Sequence, residues 1–398
     1  MPAKLRKLER HELLRDDEHL IVLRDPLGIS DPVALPKAAG DVLDLLDGTR
    51  TAAQIRQSLL MRGKLDVPTC EITELIAGLQ GEGMLDDDAF RDRFATILQR
   101  FLAAPVLRPR HAGIVYPADP DALKQLLGDV FGNPSFDHFK QPPVLGVVCP
   151  HQPPTVVGST LRQTLDHLPR ARDIDVVVLL ATDHAPGLLP YVTTDKQLAS
   201  PLGCGPVSPL CEALERDVPW IRREEIRFRQ ALSVELQVVL LHSIYGADTP
   251  PILPILCGQT ALDEAHADEV DSFLAAMERL LCGSRVLFWT AAELSHVGPD
   301  YGSTVDPNQH LASIEQRDQE ILEALSRGRP QQLLRRCSDG DPQFGQPSGG
   351  AALTTLARLV PVGTRGEKCS YKLMSPPDIA GVVGVAGLKL RAQASAPN

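Results

Sequence analysis

Apolar residues run almost unbroken through Val144–Cys149, Ile174–Leu180, Ile252–Cys257 and Arg285–Trp289. Runs this short, apolar at nearly every position, predict strands buried on both faces, as in a largely parallel sheet covered by helices. Amphipathic spacing predicts helices over Pro120–Phe131 and over residues 159–168, 209–216, 262–281, 309–327 and 351–360, with a further apolar helical stretch at 238–244. A last strand is predicted at 379–387. From Arg108 onward, strands therefore alternate with helices, which predicts an α/β domain with crossover helices.

The first hundred residues have another pattern. A short strand at Leu20 to Leu23 precedes a turn at Asp25-Pro26-Leu27-Gly28, and Val33, Ala34, Val42, Leu43, Leu45 and Leu46 suggest a helix ending at Asp47-Gly48. Thr51 and Gln54 have capping-box spacing for a second helix that places Ile55, Leu59 and Leu60 on one face. A third helix is predicted over 71–80, and Met84-Leu85 is placed to start a wing strand. These elements predict a small winged-helix-like module over residues 10–95. A helix at 91–102 leads through a linker helix (96–107) to the α/β domain (108–391), and residues 392–398 are expected to form a disordered tail.

Composition narrows the function. A net charge of −11 and a pI near 5.5 lack the positive footprint of a nucleic-acid surface. No apolar run reaches membrane-spanning length, and charged residues follow Met1-Pro2-Ala3-Lys4 where a secretory segment would be apolar. The eight cysteines contain no C-x-x-C pair, and Cys149 and Cys257 fall within strand-like runs as small buried residues. A reduced, cytoplasmic chain that binds neither nucleic acid nor membrane is expected.

The candidate chemistry sits where strands end. His151 follows the first apolar run by two residues, His184 follows the second, and His296 follows the fourth through Ala292-Glu293-Leu294-Ser295. Ligands of open α/β sheets bind outside the carboxyl ends of the strands. Three imidazoles there are material for a metal or acid–base site. His111 reads as a surface residue and His242 as a packed or capping one, while His11, His19, His138, His167, His266 and His310 lie in polar surroundings and are expected to be exposed. No G-x-S-x-G elbow, Walker loop or H-E-x-x-H motif occurs.

Seven blocks, in order, carry a resemblance. They are Ala112-Gly113-Ile114-Val115-Tyr116-Pro117, Pro150-His151, Thr182-Asp183-His184, Ser200-Pro201-Leu202-Gly203, Ser233-Val234-Glu235-Leu236-Gln237, Leu253 through Gly258, and Glu293-Leu294-Ser295-His296-Val297-Gly298. Together they resemble the Memo family, also called AmmeMemoRadiSam system protein B, whose fold is related to the class III extradiol dioxygenases. The resemblance implies a sheet flanked by helices with a transition metal at its strand ends, held by two histidines and a cysteine. The histidines map to His151 and His184, and Glu293 and His296 map to acid–base or completing positions. Iron or copper would suit that ligand set better than zinc. Leu45 through Thr51, Ile55, and the stretch from Leu75 to Leu85 resemble the PqqD-like family of peptide-recognition modules. That likeness implies a peptide added as a strand at a sheet edge. Radical SAM and AMMECR-type proteins are the partners the Memo resemblance implies.

Departures from the pattern matter equally. Phe344 stands where the family's cysteine belongs, Leu232 where a histidine belongs, and Ala231 where a glutamate belongs. Gln152, Pro153 and Pro154 follow His151 where the pattern has Ala-Gly-Tyr, and Cys337 is the nearest thiol in sequence. Loss of one of three ligands removes most of the donors that fix a catalytic metal. The sequence therefore predicts a degenerate site on a scaffold or accessory protein of a peptide- or protein-modification system. The alternative is an active iron or copper redox enzyme using His151 and His184 with Glu293 or His296.

Overall fold

The computed structural model describes residues 2–15, 18–132, 135–136, 143–185, 187–303, 305–340, 343–376 and 379–393. His138 and the expected tail beyond residue 393 lie outside these. The chain divides into two compact units, residues 1–103 with 299–302, and residues 104–298 with 303–398.

In the first unit, β1 (Glu9–Arg15), β2 (Glu18–Arg24) and β3 (Val33–Pro36) form an antiparallel sheet in that order. Helices α1 (Gly40–Leu43), α2 (Ala52–Met61), α3 (Thr69–Gly81) and α4 (Asp88–Ala103) follow. The capping box at Thr51 is formed, with the Thr51 N–H donating to Gln54 Oε1 at 2.9 Å and the Gln54 N–H donating back to Thr51 Oγ1. Ile55, Leu59, Ile72 and Leu79 close a core with Ile21 and Leu23. Val33 and Ala34 lie in a strand, contrary to the helix expected there. Pro36 biases Leu35 toward extended backbone, so the helix shrinks to the single turn α1. Met84-Leu85 forms no wing strand among the described residues. Leu85 makes one isolated bridge with Leu5.

The second unit opens with β4 (Val106–Leu107), α5 (Pro120–Phe131), β5 (Val144–Cys149), α6 (Pro154–Thr164), β6 (Val176–Thr182), β7 (Tyr191–Thr193), β8 (Gln197–Ser200) and β9 (Gly203–Gly205). It continues with α7 (Leu210–Asp217), α8 (Leu232–Tyr245), β10 (Ile252–Cys257), α9 (Ala267–Leu281), β11 (Val286–Ala291) and β12 (His296–Val297). The helices α10 (Leu311–Ser326), α11 (Pro330–Ser338) and α12 (Gly350–Leu359) precede the closing strands β13 (Arg365–Met374) and β14 (Val382–Arg391). The main sheet has the order β12-β14-β5-β11-β6-β10-β7, with β13 also paired to β14. Its centre, β5-β11-β6-β10, is parallel, and its flanks are antiparallel. It is a mixed α/β fold in which the four apolar runs form the parallel centre.

Alternate residues of these strands face opposite layers, as the two-residue period requires. Val176, Val178 and Leu180 of β6 join Leu253 and Ile255 of β10 and Leu353 and Leu356 of α12 in one cluster. On β11, Phe288 belongs to that cluster, while the indole of Trp289 donates to Gln237 Oε1 of α8 at 2.7 Å. Helix α8 is buried almost all round, which is why its sequence lacks a polar stripe. Beside them, β14 is pressed between α6 and α10 through two glycines. A Cβ at Gly387 would overlap Thr164 Oγ1, and one at Gly384 would overlap Asp318 Oδ2 and lie 3.2 Å from Leu294 Cβ. Gly384→Ala is therefore expected to cost about 2–4 kcal/mol by overpacking. Urea unfolding would register this as a lowered midpoint, and an unchanged midpoint would contradict the close approach.

Candidate functional site

Register brings the site together. Cys149 of β5 lies opposite Ala291 of β11, which lies opposite Ala181 of β6, so the three strands end level. Two residues past Cys149 comes His151, two past Ala291 comes Glu293, and three past Ala181 comes His184. The side chains thus follow the strand order β5-β11-β6 across the carboxyl edge of the sheet. His296 returns from β11 into β12, opposite Val383 of β14.

Glu293 is the centre of the arrangement, with 1% of its surface exposed. Its Oε1 accepts the backbone N–H of His151 at 3.0 Å, and its Oε2 accepts Gln152 Nε2 at 3.0 Å and lies 3.3 Å from His296 Nε2. Burial alone would raise this carboxyl. His151 and His296 beside it, with the hydrogen bonds from His296 and Gln152, outweigh burial and hold it well below the usual carboxylate range. The ring nitrogens of His296 face two oxygens, Leu294 O at 3.2 Å from Nδ1 and the Glu293 carboxylate at Nε2.

His151 Nε2 lies 2.9 Å from His184 Nε2 and 3.7 Å from Glu293 Oε2. The first distance is a hydrogen bond between imidazoles and the second is too long for one. Burial lowers the pKa of His151, while Glu293 acts in the opposite sense. The loop carrying His184 is anchored through its neighbour. The Arg227 guanidinium lies 2.5 Å from Asp183 Oδ2 and donates to Leu189 O at 2.9 Å, both Arg227 and Asp183 being buried. Burial pushes Asp183 up to about 6 despite that guanidinium. Sequence reasoning missed Arg227. The available signal was a charged residue between Ile226 and Phe228 in an otherwise buried segment.

The departures have definite places. Phe344 is 5% exposed and packs with Val297, Ile314 and Val382, its ring meeting His310 edge-on. Cys337 is fully buried in the main core against Gly350, and burial pushes its thiol up to about 12, so it is not a thiolate at neutral pH. Leu232 is only half-buried at the first turn of α8. His111 corrects an expectation. It is 8% exposed, not a surface residue, because Glu235 collects the His111 and Arg110 N–H groups, His111 Nδ1 and the Tyr116 hydroxyl within 3.0 Å. The A-G-x-x-Y-P block and the S-V-E-L-Q block are thus two halves of one hydrogen-bonded knot. His242 is buried and paired with Ser200. His19 and His167 are exposed, whereas His11, His266 and His310 are half-buried rather than exposed as expected.

A family model described as Memo-like protein matches residues 108–343. The chain belongs to the Memo-like family. It is 25% identical over 309 residues to a MEMO1 family protein of Aquifex aeolicus, covering 77% of this chain and 78% of that one. A MEMO1 family protein of Thermus thermophilus is 24% identical over 288 residues, covering 72% and 83%. One from Archaeoglobus fulgidus is 29% identical over 193 residues, covering 48% and 68%. The Memo-like match ends at residue 343, one residue before Phe344.

The donor set can be tested against a metal. Two nitrogens about 2.1 Å from one ion and at right angles to each other would lie about 3.0 Å apart, close to the His151–His184 separation. The third donor is what fails. Both Glu293 oxygens already accept hydrogen bonds, Phe344 offers none, and Cys337 is a buried thiol. Among the described residues no three His, Cys, Asp or Glu side chains are grouped to hold an ion. The residues present therefore do not fit the metal that the Memo resemblance implies. What they form is a hydrogen-bonded imidazole pair beside an ionised, fully bonded carboxylate.

Phe344→Ala should destabilise the chain by about 3 kcal/mol through the cavity it leaves, read as a lower denaturant midpoint. His242 is held neutral by burial, its pKa lowered to about 4 from 6.5. The unfolded chain then binds a proton that the folded one refuses, so stability is full above pH 6.5 and falls as pH drops toward 4. That loss amounts to about 3 kcal/mol. His242→Phe should flatten this slope, and an unaltered slope would show that His242 does not cause it.

Proposed function

We propose that this chain is a scaffold or accessory protein of a peptide- or protein-modification system, built on a Memo-like unit whose strand-end site no longer supports metal-dependent catalysis. The observation that carries the reading is the burial of Phe344, which by the sequence resemblance stands at the position of the family's cysteine, in an apolar cluster with Val297, Ile314 and Val382. A hydrophobic side chain there contributes packing where a thiolate would contribute coordination. His151, His184, Glu293 and His296 remain as a hydrogen-bonded remnant that ties the strand ends together.

The N-terminal unit would supply the recognition. Its PqqD-like sequence pattern and its three-stranded antiparallel sheet, with β1 and β3 at the edges, suit capture of an extended peptide by strand addition. The partners in this reading are a radical SAM enzyme and an AMMECR-type protein, in the cytoplasm. No described helix is long and apolar enough to cross a membrane.

Metal analysis tests the Memo-like unit. Full-length protein purified without an affinity tag, loaded with iron(II) or copper(II) and dialysed, should retain far less than one ion per chain. The double variant His151→Ala, His184→Ala should retain the same small amount. One tightly held ion that the double variant loses would establish the enzyme reading, with His151, His184 and Glu293 or His296 at its centre. For the N-terminal unit, titration of the full chain with peptides encoded beside its gene should give saturable binding to at least one. Uniform absence of binding would remove the peptide from the proposal.

A further inference from the structure

Among the described residues three donors meet the Glu293 carboxylate, and they differ in how they are fixed. The His151 N–H that meets Oε1 is main chain. His296 Nε2, 3.3 Å from Oε2, belongs to β12, and the other ring nitrogen faces Leu294 O at 3.2 Å. The third donor, Gln152 Nε2 at 3.0 Å from Oε2, is a half-buried side chain on the loop between β5 and α6. This one can be removed without redrawing a strand or a main-chain bond.

The loop holds Gln152 in readiness. Pro153 follows it, which disfavours helical backbone at Gln152, and Pro154 is the first residue of α6. The amide is therefore presented from a stiffened turn, and less conformational freedom is lost when it bonds the carboxylate.

The oxygen it meets is the one beside the imidazoles. Glu293 Oε2 lies 3.7 Å from His151 Nε2, which in turn lies 2.9 Å from His184 Nε2. Two donors each about 2.1 Å from one ion stand at most about 4.2 Å apart, so both separations fit a shared ion, at angles of roughly 125° and 90°. Distance alone thus admits Oε2 as a third donor next to His151. A carboxylate oxygen has two lone-pair directions. On Oε2, Gln152 and His296 take one each. With Gln152 in place an ion must displace a preorganised internal donor; without it, the ion displaces only water.

We propose that Gln152 is the plug of the strand-end site: its amide takes the lone pair of Glu293 Oε2 that would otherwise join His151 and His184 in holding a divalent cation. The proposal rests on the reading of this site as closed to metal, and it names a second residue, besides Phe344, that closes it. A hydrogen bond to a charged group shifts a competing equilibrium by about 10- to 100-fold. That is the gain in affinity expected once the bond is gone.

Titration of the untagged full-length chain with cobalt(II), followed by visible absorption, tests this, with circular dichroism checking the fold of each variant. Gln152→Ala should bind one cobalt(II) at least tenfold more tightly than the unaltered chain. So should Gln152→Leu, which keeps the bulk and drops the N–H, and which carries the test if Gln152→Ala fails to fold. Adding His151→Ala and His184→Ala to either should remove the gain. Folded variants that bind no more tightly, or a gain that survives loss of the two histidines, would overturn the proposal. A gain in folded Gln152→Ala but not in folded Gln152→Leu would overturn it too, because bulk rather than the hydrogen bond would then be the obstacle. An unaltered chain that already holds one ion tightly through His151 and His184 would overturn the closed-site reading and the plug together. Failure of the variants alone leaves that reading standing.

Discussion

An ionised carboxylate with 1% of its surface exposed is the constraint around which the strand ends are built. Such a group is stable out of water only when hydrogen bonds and neighbouring dipoles replace its solvation. Glu293 obtains them from outside its own strand. The loop after β5 supplies the His151 N–H and the Gln152 amide, and the turn into β12 brings His296. No one of these segments can shift without stripping the carboxylate of a partner. The level ending of β5, β11 and β6 in turn follows from the parallel register, so fold and site share one cause.

The same logic recurs around the sheet. Arg227 and Asp183 are both buried and compensate each other beneath the loop that bears His184. Glu235 gathers donors from the segment at Arg110 to Tyr116. Gln237 links Trp289 of β11 to the carbonyl of Pro150 just before His151. Each of these polar groups joins two segments far apart in sequence and so helps fix the loop paths around an otherwise apolar sheet. Breaking one member strands its partner, and a lone buried charge is costlier than the pair.

Much of this was legible in the sequence because burial on both faces leaves a continuous apolar run. The observed bounds of β5 and β10 are those runs, and β6 and β11 differ from them only at their ends. Helix α5 begins where an Asp119 cap precedes Pro120, a signal local enough to read directly. Elements governed by distant partners were not legible. The charged strand β1 is specified by its pairing with β2, and the predicted helix at Val33 gave way to a strand. His111 looked like a surface residue because nothing nearby in sequence hints at Glu235, more than a hundred positions away. For the site, the sequence showed which residues stand at the strand ends. It could not show that Glu293 would have no free oxygen, because the donors that occupy it come from other strands.

The segment that carries Phe344 is fastened by its main chain rather than by that side chain. The Ser348 N–H donates to Leu294 O and the Gly349 N–H to Glu293 O, and Gly349 fits so closely that a Cβ would meet Ala292 and the Glu293 backbone. The route of the loop is therefore set independently of what position 344 presents. Such a position is an interchangeable socket. Side chains of different size and polarity could occupy it in turn without redrawing the path of the loop, so this position can drift while the fold stays fixed.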